Sequence, residues 1–90
     1  MKTDTKYKVV RRLKLIEGQV RGLQRMVDEE KYCVDIITQT SAIKEALSGV
    51  EGLMLENHLS THVIEQMRSG KNKQAISEIL KVYRLAQKKK

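Results

Sequence analysis

Residues 34–67 read VDIITQTSAIKEALSGVEGLMLENHLSTHVIEQM. Ile36, Thr40, Ile43, Leu47, Val50 and Met54 step by four and three, and the rhythm runs on past His58 toward Met67. That spacing gives a helix one apolar side and one wet side. It predicts roughly 34 helical residues, ~50 Å at 1.5 Å per residue. Gly49 and Gly52 interrupt the pattern, and a kink is expected there. Upstream, from Lys8, the same rhythm places Val9, Leu13, Ile16, Val20, Leu23 and Val27 on a narrow stripe that should end in Asp28-Glu29-Glu30-Lys31. Downstream, Ser69-Gly70-Lys71-Asn72 reads as a stop with a glycine cap. A short third helix follows, with Ala75, Ile76, Ile79, Leu80 and Tyr83 on its apolar face. The fold class is all-α, three helices per chain in one domain over residues 1–90, with 1–6 and the lysine-ended tail 86–90 expected to be disordered. The absence of proline, Phe and Trp agrees with helices throughout.

The lengths carry a consequence. A compact chain of 90 residues is only ~30 Å across. One short and one medium helix cannot cover a ~50 Å helix. The apolar stripes therefore need a second chain, and the unit should be at least a homodimer.

Lys and Arg number 18 against 11 Asp and Glu, a net charge of +7. Such a surplus favours an anionic partner, either nucleic acid or an acidic membrane face. No apolar run approaches the ~20 residues needed to span a bilayer. The opening MKTDTKYK lacks the apolar core of a signal peptide, so a cytoplasmic location is expected. With three Tyr and no Phe or Trp, stacking on single-stranded bases is a poor fit as the main binding mode. On the first helix Lys8, Arg11, Arg12, Lys14, Arg21 and Arg25 spread over the side opposite the stripe, and Gly18 and Gly22 fall within that arc. Glycine costs ~1 kcal/mol in a helix interior, so either a phosphate backbone or another helix should approach there. Between residues 5 and 27 only Glu17 offsets the cations. The arc is read as a phosphate-binding surface with Gln19 among the groove-edge contacts, and Arg12, Lys14 and Arg21 lead the candidates.

Cys33, His58 and His62 carry metal-ligand chemistry. The histidines are four apart and share a helix face. Cys33 lies 25 residues before His58, ~37 Å along an unbroken helix, so the three cannot meet in one straight chain. In an antiparallel dimer, Cys33 of one chain would lie beside His58 and His62 of the other. The lone cysteine excludes an intrachain disulfide and fits a reducing compartment. Two readings of other classes stand beside a metal-responsive regulator. One is a metal-storage or metal-transfer protein without DNA binding; the other is an enzyme with Cys33 as nucleophile, for which no motif supplies a cleft or an orienting acid.

The stretch RRLKLIEGQVRGLQRMVDEEKYCVDIITQTSAIKEAL, with ENHLSTHV after it, resembles the copper-sensing operon repressor (CsoR) family, which also contains the nickel/cobalt sensor RcnR and the formaldehyde sensor FrmR. The likeness covers roughly residues 11–83, and its most specific blocks are Ile16–Gly22 and Tyr32–Ile36. It implies a three-helix chain, an antiparallel four-helix dimer paired into a homotetramer, and DNA contact through basic helical faces without a helix-turn-helix. It further implies a non-enzymatic repressor that holds double-stranded operator DNA in the apo state and lets go when its effector binds. Copper sensors in the family use a Cys, a His and a second Cys. Cys33 and His58 match the first two, and His62 stands at the third. Tyr32 and Glu78 match positions that support the ligands and couple them to DNA affinity. One thiolate and two imidazoles suit trigonal Cu(I). Zn(II) would want a fourth donor such as Asp4 or Glu78, and Ni(II) or Co(II) more donors still. Cu(I) leads, and Zn(II), Ni(II) and Co(II) remain the alternatives.

Overall fold

Two helix ends in the chain close with the same turn, and they set its punctuation. A computed structural model describes residues 1–87. Helix α1 (Thr3–Asp28) ends where the Lys31 N–H donates to the Met26 carbonyl at 2.9 Å and the Glu30 N–H to that of Val27 at 3.0 Å. Lower down, the Lys71 N–H donates to Gln66 O at 2.7 Å and the Gly70 N–H to Met67 O at 3.3 Å. Both are Schellman turns, which need a left-handed residue just past the cap. Gly70 supplies it at φ 80°, whereas at the first turn a glutamate does, Glu30 at φ 52°.

α1 begins earlier than the sequence pattern implied, and residues 3–6 are helical where disorder was expected. The Lys6 N–H donates to Lys2 O at 3.0 Å, Lys8 pairs with Asp4 at 3.2 Å, and the Lys2 N–H donates to the Asn57 side chain at 3.1 Å. Asp4 in the first turn also complements the helix dipole.

Helix α2 (Cys33–His58) passes through Gly49 and Gly52 without a break. The irregularity comes later: Leu59–Val63 form a π-helical turn before helix α3 (Ile64–Arg68). A π turn admits one extra residue without leaving the helix. Backbone angles stay right-handed helical from His58 to Ile64. α2, the π turn and α3 together make the long second helix. Helix α4 (Asn72–Gln87) is the third. It includes residues 86 and 87, which were expected to be disordered, and Gln87 Nε2 donates to the Tyr83 hydroxyl at 2.7 Å. Lys88, Lys89 and Lys90 lie outside the described residues. Among the described residues no helix is long and apolar enough to cross a membrane.

The chain divides into two compact units, Met1–Asn57 and the segment from His58 onward. The first buries Val9, Ile16, Ile43 and one polar side chain, Asn57; the second buries Val63 and Ala75. Much of each predicted stripe stays in water: Leu13, Val20 and Val27 on α1, Leu47 on α2, and Ile76, Ile79, Leu80 and Tyr83 on α4 are exposed. Covering one such side chain is worth ~1.5–3 kcal/mol.

Candidate metal centre and nucleic-acid interface

The π turn carries His62 one turn beyond His58, and the two imidazole rings stack with centroids 5.4 Å apart and planes inclined by 24°. His58 is half-buried and His62 exposed. His58 Nε2 donates to Glu78 Oε2 at 2.9 Å. That contact assigns the tautomer: with the proton on Nε2, Nδ1 keeps its lone pair for a metal. Glu78 is itself held by two amides, Gln66 Nε2 on Oε2 at 3.1 Å and Gln74 Nε2 on Oε1 at 3.3 Å. The Gln66 and Gln74 hydrogen bonds, and then His58, hold the Glu78 carboxyl below its ordinary value against an opposing cost of desolvation. The carboxylate is thus kept ionised as an acceptor for the imidazole. Gln66 and Gln74 escaped the sequence reading, although Gln74 lies one helical turn before Glu78, a spacing that pairs side chains.

Cys33 is exposed as the first residue of α2, and Tyr32 just before it is exposed too. The Tyr32 carbonyl accepts the N–H groups of Asp35 and Ile36 at 3.0 and 3.2 Å and so starts the helix. Among the described residues of one chain, no three His, Cys, Asp or Glu side chains gather into a group able to hold an ion.

On α1 all six basic candidates are exposed, and they spread over two sides of the helix that Arg11 bridges, since it also lines a groove with Lys14. Lys8, Arg11 and Arg12 face a groove of about 480 Å³ together with Gln19 and with Ala46 of α2. Lys14, Arg21 and Arg25, at i, i+7 and i+11, lie on another side. Arg21 pairs with Glu17 at 3.4 Å. Exposed i, i+4 pairs of this kind are worth little and leave Arg21, like Lys8 beside Asp4, available. Among the described residues Arg11, Arg12, Lys14 and Arg25 form no ion pair. Gln19 is half-buried, and its Oε1 is buried without a hydrogen-bond partner. A Cβ on Gly22 would meet nothing within 4 Å, and one on Gly18 only the tip of Arg21 at 4.0 Å. Among the described residues no other helix comes within 4 Å of the Cβ position of either glycine, which removes close packing within these residues as their explanation.

A model of the family described as metal-sensitive transcriptional repressors matches residues 5–84. This chain belongs to that family. The repressor is 47% identical over 79 residues to the copper-sensing transcriptional repressor CsoR of Bacillus subtilis strain 168, a match covering 88% of this chain and 78% of that one. It is 44% identical over 68 residues to the copper-sensing transcriptional repressor RicR of Mycobacterium tuberculosis H37Rv, covering 76% and 71%. In three dimensions it resembles the copper-sensing repressor CsoR of Geobacillus thermodenitrificans NG80-2, solved with Cu(I), at TM-score 0.88 and 38% identity over 97% of this chain and 91% of that one. It also resembles the nickel-responsive transcriptional regulator InrS, at TM-score 0.73 and 32% identity over 83% and 84%. The resemblance read from the sequence holds, and so does the three-helix fold. The family is one of repressors, which sets aside both the enzyme and the metal-storage readings.

Proposed function

We propose that this repressor senses Cu(I) in the cytoplasm, binding operator DNA without metal and releasing it when metal binds. Cys33 of one protomer would meet His58 and His62 of another in an antiparallel dimer, and dimers would pair into a tetramer. The family match runs across both compact units, which supports their acting as one functional domain. The exposed stripes on α1, α2 and α4 support association. The observation that carries the metal reading is the His58–Glu78 contact at 2.9 Å. A carboxylate that fixes one imidazole nitrogen and leaves the other free is the usual support of a metal-binding histidine. The donor set fits the ion: one soft thiolate and two imidazoles complete a trigonal Cu(I) shell. Bound metal would supply a cross-link between chains that favours a helix arrangement with weaker hold on DNA. The protein's own part is to keep Glu78 ionised and His58 oriented, with Tyr32 as a further support for the ligands.

The DNA side rests on the basic arc of α1. Lys8, Arg11, Arg12, Lys14, Arg21 and Arg25 would take phosphates, and Gln19 would reach a groove edge. His62, an imidazole where copper sensors carry a second thiolate, is the feature that favours Zn(II), Ni(II) or Co(II) instead. Operator binding followed by fluorescence anisotropy under anaerobic titration with each metal separates these readings. Release by Cu(I) at the lowest free concentration is expected. Release by another of these metals at a lower free concentration overturns the copper assignment and leaves the repressor reading intact.

A further inference from the structure

Gly49 sits deep in α2, where a glycine weakens the helix and no turn calls for one. Among the described residues Gly70 is the one glycine with a positive φ, so backbone conformation does not require Gly49. Space does. A Cβ built on Gly49 would lie 2.9 Å from Arg12 Nη1, closer than real contacts allow. Gly52, three residues on in the same helix, has nothing within 4 Å of its Cβ position. The Arg12 guanidinium therefore rests against the bare backbone of α2, on the groove it shares with Lys8, Arg11 and Ala46. No carboxylate among the described residues pairs with it there.

We propose that Gly49 is the positioning residue for Arg12: by carrying no side chain it seats the guanidinium against α2, aimed at one backbone phosphate of the operator. The inference rests on the reading of the α1 arc as the DNA face. A long cation already laid on a surface loses less rotamer freedom when it takes its ligand, and the planar fork of Arg matches two phosphate oxygens. Arg11 and Arg12 have no acidic partner among the described residues, and with Lys8, whose pair with Asp4 is exposed, they suit a phosphodiester better than a base edge. The only obstacle to a methyl group at Gly49 is the end of a flexible side chain, so Gly49→Ala moves the guanidinium and leaves the helix in place.

The test uses the full chain, without added metal, and a fluorescent duplex selected in vitro for binding to the native protein. Affinity and its salt dependence are measured for Gly49→Ala, Gly52→Ala, Arg12→Ala and the double variant Gly49→Ala/Arg12→Ala. Both alanine-for-glycine variants should melt a few degrees higher than the native protein, since both gain helix propensity. Gly49→Ala should nevertheless bind the duplex about tenfold more weakly, the scale of one charge-assisted hydrogen bond. Gly52→Ala should bind as the native protein does. In the Arg12→Ala background, adding Gly49→Ala should change affinity by less than about twofold. The inference is overturned if Gly49→Ala binds like the native protein, if Gly52→Ala weakens binding equally, or if the two losses multiply in the double variant. An Arg12→Ala variant with native affinity and native salt slope instead removes the DNA-face reading beneath it.

Discussion

Replacing Glu30 by glycine should stabilise the protein, and replacing Gly70 by alanine should do the reverse. Both residues occupy the left-handed position of a Schellman turn, Glu30 at φ 52° and Gly70 at φ 80°. A side chain in that conformation costs about 1–2 kcal/mol through the clash of Cβ with the following carbonyl. Glycine returns part of this gain, because its unfolded chain is freer by about 0.5–1 kcal/mol. The net stabilisation of Glu30→Gly is therefore ~0.5–1 kcal/mol, or about 2–8 °C in a domain of this size. The Lys31–Met26 and Glu30–Val27 bonds that close the turn join main-chain atoms and survive the change. Gly70→Ala pays the same clash, offset in part by the reduced freedom of its unfolded chain, and no neighbouring atom lies within 4 Å of the new methyl to add a steric cost. Thermal unfolding by circular dichroism, at one fixed protomer concentration because association shifts Tm, reads both effects. Cys33 begins α2 three residues beyond Glu30, and the turn between them keeps its geometry, so metal titrations of Glu30→Gly should match the native protein. A Tm for Glu30→Gly at or below native, or a Gly70→Ala variant as stable as native, refutes the reasoning.

Cys33→Ala should bind operator in the apo state yet no longer release it with metal, and release at the native metal concentration would place the site elsewhere. Metal binding by the native protein should expel the Cys33 thiol proton and weaken as pH falls, which competition titrations at several pH values will read. Glu78→Gln should keep most metal affinity while reducing the loss of DNA affinity that metal causes; operator anisotropy with and without metal measures this, and undiminished coupling would count against Glu78. Because the folded-state Glu78 carboxyl is lowered from 4.5, its contribution to stability is present above that value and lost as pH falls through the lower one. The difference in Tm between native and Glu78→Gln should accordingly shrink on acidification, and a constant gap would contradict it. Light scattering at micromolar concentration should give a dimer or tetramer; a stable folded monomer of 10.4 kDa would defeat the shared-site geometry.

The periodic stripes made the three helices legible, because a helix must turn one side out of water wherever it goes. The ends were less legible. The start of α1 depends on Asn57, 55 residues away from Lys2, whose side chain accepts the Lys2 N–H, and no local pattern announces so distant a contact. The π turn was not legible either: Gly49 and Gly52 mark where propensity is weak, yet the irregular turn comes later, at Leu59–Val63. Cys33, His58 and His62 could be picked out by ligand chemistry, and the four-residue spacing put the histidines on one helix face, where their rings stack. The amide clamp of Gln66 and Gln74 on Glu78 could not be foreseen, because glutamine carries no charge to draw the eye. The spread of the α1 cations over two sides of the helix needed α2 beside them.

The π turn at Leu59–Val63 makes the register of everything after His58 a matter of residue count. Like a dislocation in a crystal, it holds one surplus unit in an otherwise regular row. A substitution within it can alter a contact but cannot remove the surplus. A one-residue deletion can, and it would anneal the segment to an ordinary helix with α3 and α4 facing nearly as before. The same deletion in α3, with no surplus to absorb it, would turn α4 by about 100° about the axis relative to His58. Glu78 would then leave the imidazole it now holds. Insertions and deletions near this short stretch are thus a coarser kind of mutation than any exchange of side chains, absorbed within the turn and, just beyond it, able to uncouple the histidine from its carboxylate while leaving every residue of the pair intact.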